Sequence, residues 1–566
     1  MRGLLPPWLQ SYRRDALTGD LVAGLIVTVM LVPQSLAYAM LAGLPAHMGL
    51  YASVLPIIAY ALLGSSMTLA VGPVAVASLM TASALAPLAT PASAAYAVLA
   101  MQLALVSGVM LMAFGVLRLG FLAHLLSHPV ISGFISGAAV LIAIGQVRHL
   151  LGVRFEAEGV FAILAALFEA LPRTNPVTLS IGLGSVLLLL LARSQLPRWL
   201  IAIGLPRARA ELVSRLSPMA VVVVFTVLVA ALDLDKSAGV AVVGHVPGGL
   251  PALPPMAVFT DWNALPDLLA PALLISIVGF VESVSVAQSL ALKRGERIEP
   301  NRELLGLGAA NAVSAVSGGF PVTGGLARSV VNFSAGACTP LAGVVSALLI
   351  ALVLLFLTGW FRTLPHAVLA ATILVAITGL VDFKTLRAAW RYDKADALTL
   401  LATALGVILL GVEHGIMSGV LCSLAVIVWR GSRPHIAVVG RMPGSEHFRN
   451  VERHAVQTQP GVLALRIDES LFFANAHQVR GRIEALVASQ HDLRNLVLSF
   501  AGVNQVDTTG LEMLEGLRTD LAGRAVELVL AEVKGPVMDR LAKTDFGRAM
   551  NGRVFLSLHE AMEAIA

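Results

Sequence analysis

Between Leu21 and Leu117 the chain carries no Asp, Glu, Lys or Arg. A helix that crosses a bilayer needs roughly 20 predominantly apolar residues, so this stretch alone has room for four. Apolar runs broken by short polar loops continue as far as Ser432. Their spacing predicts fourteen spans, at 20–42, 46–63, 72–89, 94–117, 129–147, 176–192, 217–232, 267–291, 304–317, 324–337, 340–358, 364–380, 395–411 and 413–430. The amphipathic stretch VRFEAEGVFAILAALFEAL (153–171) is expected at the membrane surface. After Ser432 charged residues recur every few positions. There GVLALRI (461–467), LVLSF (496–500), VELVLAE (526–532) and RVFLS (553–557) read as strands, with helical patterns near 475–489, 509–522, 535–545 and 558–565. The expected fold is an α-helical polytopic membrane domain over 1–432 and a small α/β sandwich with a mixed or parallel sheet over 433–566.

The apolar region repeats itself. Gly72-Pro73-Val74 resembles Phe320-Pro321-Val322, with the prolines 248 residues apart (321 − 73), and the same offset carries Gln34 onto Glu282 (282 − 34). Seven spans, an odd number, separate the two halves, so their topologies are expected to be inverted. Transporters built this way hold substrate near mid-membrane, where helices break.

Composition agrees: 57% of residues are hydrophobic and 13% charged, against about a quarter charged in soluble proteins. The net charge of +5 comes from loop arginines, five of them in 193–215, with further basic loops at 293–303 and 384–394. The opposite loop, 232–265, holds Lys236 against three aspartates. By the positive-inside rule both termini are cytoplasmic, in a cell inner (plasma) membrane. The polar N-terminal segment lacks a signal-peptide pattern. Nothing in the arginine pattern points to nucleic acid. Cys338 and Cys422, the two cysteines, make neither a disulfide framework nor a metal motif. No phosphate loop or nucleophile–base pair is evident, so an enzyme is not expected and an ion gradient is the expected energy source.

Across 304–361 the one charged residue is Arg328, just after the Pro321–Gly325 break. A cation at mid-membrane costs roughly 3 kcal/mol on insertion scales and marks a functional site. Pro73 and the 321–325 segment are expected to start two half-helices whose N-termini present partial positive charge and free N–H groups to an anion. Arg328 would add a full charge and planar hydrogen bonding. Glu282 is the acidic residue of the apolar run 268–292. A carboxylate is costly to keep ionised in apolar surroundings, so Glu282 is the candidate proton site, or else a fixed ion-pair partner of Arg328. Gln34 and Tyr38 share one helix face. The candidate substrate contacts are Gln34, Tyr38, Pro73, Val74, Ser78, Thr323, Gly325, Ala327 and Arg328, with Ser329 and Asn332 as secondary ones.

VPQSLAYAMLAGLPAHMGLYASVLPIIAYALLGSS (32–66) with VGPVAVASLM (71–80), LSHPVISGFISGAA (126–139), VGHVPGGLP (243–251) and GGFPVTGGLARSVVN (318–332) resemble, in order, the SulP sulfate-permease family; VNQVDTTGLEML (503–514) resembles its STAS domain. The resemblance implies seven-plus-seven inverted repeats, a homodimer, an elevator-like motion, and an anion held between spans three and ten with Gln34 and Tyr38 contacting it from span one. It makes Arg328 the tenth-span cation and matches Glu282 to the carboxylate tied to proton coupling in sulfate-type members. Ala327 departs from the serine that many members have there. Asp507, Thr508 and Thr509 resemble the segment phosphorylated in bacterial anti-sigma-factor antagonists, though Asp and Thr at a helix start are also ordinary caps. The expected activity is proton-coupled sulfate uptake without a cofactor. Sodium coupling, bicarbonate or a C4-dicarboxylate as substrate, and an anion-gated sensor acting through the STAS domain stay open beside it, as does an uncoupled channel.

Overall fold

The structure, a computed structural model, describes residues 6–10, 12–124, 127–155, 157, 159–251, 253–490 and 492–565. Part of the N-terminal segment (1–5 and 11) and two residues of the amphipathic stretch (156 and 158) lie outside the described residues. The chain divides into two compact units, Met1–Cys422 and Ser423–Ala566. The division falls inside the last apolar helix, ten residues before the change in composition (432 − 422).

In the first unit the main elements are α1 (Ala16–Leu41), α2 (Ala46–Tyr51), α3 (Leu55–Leu63), β1 (Val71–Gly72), α4 (Ala75–Leu85), α5 (Ala94–Val116), α6 (His128–Leu151), α7 (Pro176–Ser194) and α8 (Ser217–Ala231). There follow α9 (Leu265–Leu292), α10 (Pro300–Val316), β2 (Thr323–Gly324), α11 (Leu326–Ser334), α12 (Leu341–Phe356), α13 (His366–Ile377), α14 (Lys394–Leu410) and α15 (Val412–Ser432). Every segment expected to span contains a helix. Among the described residues seven are long and apolar enough to cross a membrane by themselves. The amphipathic stretch forms a helix over Val160–Ala170 that turns Phe161, Leu164 and Phe168 outward.

The order long helix, second helical segment (α2 with α3, then α10), two-residue strand, short helix, longer helix occurs twice. Its spacing is not the 248 residues of the proline match. The strands start 252 residues apart (323 − 71) and the short helices 251 (326 − 75). Pro73 directly precedes its helix's N-cap, Val74, whereas Pro321 stands four residues before Gly325, the N-cap of α11 (325 − 321). The prolines therefore occupy different places in the two breaks: the offset that aligns them nearly aligns the starts of α1 and α9, 249 apart (265 − 16), but not the strands or the short helices.

Small residues set the helix contacts, as expected where lipid gives no hydrophobic drive between helices. A Cβ on Gly108 of α5 would lie 2.5 Å from the Ala312 nitrogen of α10, and one on Gly133 of α6 would lie 2.3 Å from the Leu400 carbonyl of α14. Two buried carboxylates fasten loops to this scaffold. Glu303 in α10 is fully buried; Oε1 accepts from Ser65 N (2.7 Å), Ser65 Oγ (2.7 Å) and Ser66 N (2.9 Å), and Oε2 from Tyr60 Oη (2.7 Å). Asp20 in α1, equally buried, accepts from Cys338 N (2.7 Å), Thr339 N (3.0 Å) and Thr339 Oγ1 (2.7 Å).

The second unit carries a six-stranded sheet in the order β4-β3-β5-β6-β7-β8, formed by β3 (Ile436–Arg441), β4 (Phe448–Asn450), β5 (Val462–Ile467), β6 (Asn495–Ser499), β7 (Glu527–Ala531) and β8 (Val554–Phe555). Strands β5 to β8 run parallel, and β3 pairs antiparallel with both β4 and β5. Alternation along β5 sends Leu463 and Leu465 into one core and Ala464 into the other. The expected strands and helices are present; β3 and β4 are additional.

Glu303→Ala leaves four donors around one buried site unpaired. At roughly 1–3 kcal/mol for each buried group left unsatisfied, the thermal midpoint of the membrane unit in detergent falls by several degrees or more, and Glu303→Gln, which keeps an acceptor, loses less. An unchanged midpoint for Glu303→Ala would remove the clamp from the stability account.

Candidate anion-binding site

Strands β1 and β2 come from the two halves and pair antiparallel, Val71 with Gly324 and Gly72 with Thr323. The short helices α4 and α11 therefore leave one shared seam in opposite senses. Their N-caps, Val74 and Gly325, have extended backbone and no side-chain cap. The first N–H groups of a helix have no partner within it, so both N-termini offer free donors and the positive end of the helix dipole at the same place.

Neighbouring helices hold the seam open. The Asn311 amide of α10 substitutes for a strand: Oδ1 accepts from Val322 N (2.9 Å) and Nδ2 donates to Val322 O (2.8 Å). Ser283 Oγ of α9 accepts from Gly324 N (2.9 Å) and lies 2.7 Å from Thr323 Oγ1, which donates to Gly279 O (2.8 Å). The Ser329 hydroxyl accepts from Ala70 N (2.9 Å) and donates to Gly325 O (2.7 Å). Gly72 has φ +154°, and Leu31 of α1 packs against it.

Arg328 lies in the seam and is 2% exposed. Its Nη1 donates to Pro73 O at 2.7 Å, which ties the second half to the first. Nε and Nη2 are buried without a partner. These two nitrogens form the edge of a guanidinium that grips an oxyanion with two parallel bonds. A Cβ on Gly325 would lie 3.0 Å from Nε and 2.9 Å from Nη2. A side chain at this position would therefore crowd the free edge of the guanidinium, which glycine leaves clear.

Of the eight buried, unpartnered side-chain polar atoms among the described residues, five belong to Ser78, Glu282, Arg328 and Asn332. Ser78 Oγ is the fourth residue of α4. Glu282 Oε2 projects from α9, where the side chain also borders an apolar wall formed by Val130, Ile131 and Phe134 of α6. Glu282 makes no ion pair with Arg328, although the two groups and Tyr38 lie within electrostatic reach of one another. Tyr38 is buried and Gln34, one turn earlier, is half-buried. The Val74 side chain is buried and Ala327 is exposed. Thr323 is committed to Gly279 and Ser283.

Sequence reasoning missed Asn311 and Ser283, which position the seam, and Asp20 and Glu303, which anchor its surroundings. A lone amide in LLGLGAANAVSAV (304–316) was the available signal for Asn311. In the second unit Asp507 caps a helix over Thr508–Ala522: Oδ1 accepts from Gly510 N (2.8 Å) and Oδ2 from Phe473 N (2.8 Å), with Thr508 and Thr509 exposed.

Residues 17–403 match the profile of the sulfate permease family, and residues 453–561 match the STAS domain. The chain belongs to the sulfate permease family. It is thus a membrane transporter of anions and not an enzyme. It is 34% identical over 562 residues to a probable sulfate transporter of Mycobacterium tuberculosis, covering 98% of this chain and 96% of that protein. It is 33% identical to sulfate transporter 2.1 of Arabidopsis thaliana, covering 98% and 84%. Among solved structures it is similar to the murine solute carrier 26 family member A9 anion transporter in the inward-facing state, with TM-score 0.89, 25% identity, and 99% and 94% of the two chains covered. It also resembles the transmembrane domain of a cyanobacterium bicarbonate transporter, with TM-score 0.60, 26% identity, and 72% and 98% covered.

Gly325→Ala places a methyl group against the free edge of Arg328. Sulfate binding, read by isothermal titration, weakens at least about tenfold, as expected when roughly 1.4 kcal/mol is lost, while the thermal midpoint moves little. Binding unchanged by the methyl would mean that the anion does not use this edge.

Proposed function

We propose that the protein takes up sulfate together with protons by alternating access. The observation that carries this reading is the buried Arg328 edge, Nε and Nη2, left without a partner beside Gly325 and between two uncapped helix N-termini. A tetrahedral oxyanion meets all three donor sets at once. Sulfate is the substrate favoured because relatives of this chain are named sulfate transporters.

Glu282 supplies the coupling. When ionised it opposes an anion bound at Arg328. Glu282 and Arg328 lie within electrostatic reach of one another, and like charges repel more strongly in a low-dielectric interior than in water. A proton on Glu282 removes that repulsion, so proton and anion load together. The apolar wall of α6 beside the carboxyl makes the neutral, loaded form the one that moves past it. The motion is read as elevator-like, in a homodimer, with both termini on the cytoplasmic side of the plasma membrane. Bicarbonate is the second substrate, favoured by the likeness to a bicarbonate transporter's membrane domain.

Labelled sulfate uptake into proteoliposomes with an imposed pH gradient tests the reading, with bicarbonate, fumarate, chloride and nitrate as competitors. Accumulation follows the inward proton gradient and is abolished by Arg328→Ala. Uptake that ignores pH but requires sodium defeats proton coupling. Glu282→Gln keeps anion exchange and flattens pH-driven accumulation; full accumulation in that variant places the proton elsewhere.

A further inference from the structure

At the end of α1 farthest from the N-terminus a cavity of about 250 Å³ lies between helices of the two halves. This is far above the roughly 10–15 Å³ that seats one water, so a hydrated ion fits. Met40 of α1, Ser83 of α4 and Ile408 of α14 border it, and α6 contributes Gln146, Arg148 and His149. Phe155, Ala157 and Gly159 also line it, and residues 156 and 158 between them, both glutamates, lie outside the described residues.

Two polar side chains there have bonding capacity unused by the described residues. Arg148 is half-buried; among the described residues its one hydrogen bond runs from Nε to His149 Nε2 (3.3 Å), and Nη1 and Nη2 bond to none of them. Gln146 is 5% exposed, and its amide bonds to none of the described residues. Neither side chain is among the buried unpartnered atoms, so both polar ends open onto the cavity, where a solute can bond to them. The His149 ring packs edge-on against His366 at 6.0 Å, which brings a second imidazole to the same wall. An arginine and a donor amide in a concave apolar surround concentrate field lines and gather anions.

The cavity also adjoins the seam. Leu79 lines it, four residues into α4, which at 1.5 Å per residue is about 6 Å along the helix from the end that faces Arg328. We infer that this cavity is a second, weaker anion site, centred on Arg148 and Gln146, that receives small inorganic oxyanions on the face away from the N-terminus and passes them to Arg328. The passing-on rests on the transport reading above; the binding does not.

The test uses full-length protein carrying Cys338→Ser, Cys422→Ser and Ser83→Cys, with Arg328→Ala added to disable the seam. Labelling of position 83 by a charged thiol reagent is followed with and without sulfate at constant ionic strength. Sulfate at about twice its Kd slows labelling about threefold by mass action. Arg148→Gln removes the protection and Arg148→Lys largely keeps it. Labelling indifferent to sulfate in the Arg328→Ala protein overturns the inference, as does protection that survives Arg148→Gln. Protection in a protein whose wild type moves no sulfate supports the site and counts against transport, so the two failures are distinguishable.

Discussion

The hydrogen bond from Arg328 Nη1 to Pro73 O joins the two halves at the point where both abandon helical structure. A guanidinium has five N–H donors in a fixed plane. Using one terminal nitrogen on a carbonyl orients the plane and turns the opposite edge toward Gly325. The same bond thus fastens the fold and leaves free the edge proposed to recognise substrate. The supporting contacts from Asn311, Ser283 and Ser329 keep two very short strands from slipping under that cation.

The surroundings divide polar side chains into those already satisfied and those held in reserve. Thr323, Ser283, Asn311 and Glu303 spend their bonds on backbone and neighbouring hydroxyls and are structural. Ser78, Glu282 and the Arg328 edge do not, although burial makes an unmet bond expensive. That contrast separates scaffold from site more sharply than residue type does. It also distinguishes Glu282 from a simple counter-ion: it is near enough to feel Arg328 and is not in contact with it.

Arg328 was legible in the sequence because a lone charge in a long apolar stretch is too costly to persist without a role. The breaks were legible from Pro73 and Pro321–Gly325, and the division of the chain from the return of charge after Ser432. The exact internal repeat was not. Identical residues at a constant offset proved to hold different positions relative to their N-caps, because the second break has three more residues between its proline and its cap. Asp20 and Glu303 sit beside polar or basic loops and looked solvated; only tertiary contact shows them buried. Hydroxyls such as Ser283 were unreadable for a different reason, since a serine in an apolar helix usually bonds its own preceding turn. Strands β3 and β4 are short and lie at one edge of the sheet, where the alternating pattern is weakest.

The pairing of β1 with β2 has a consequence for biogenesis. Each strand has two residues, and neither can form a sheet alone. Until the ribosome has delivered the chain past Ser334, the first half holds an unpaired stretch of backbone at mid-membrane depth, where lipid cannot satisfy it. The paired seam is therefore completed late, as a product of the two halves closing on each other, and the nascent first half depends on insertion machinery or water to shelter Val71–Val74 in the interval.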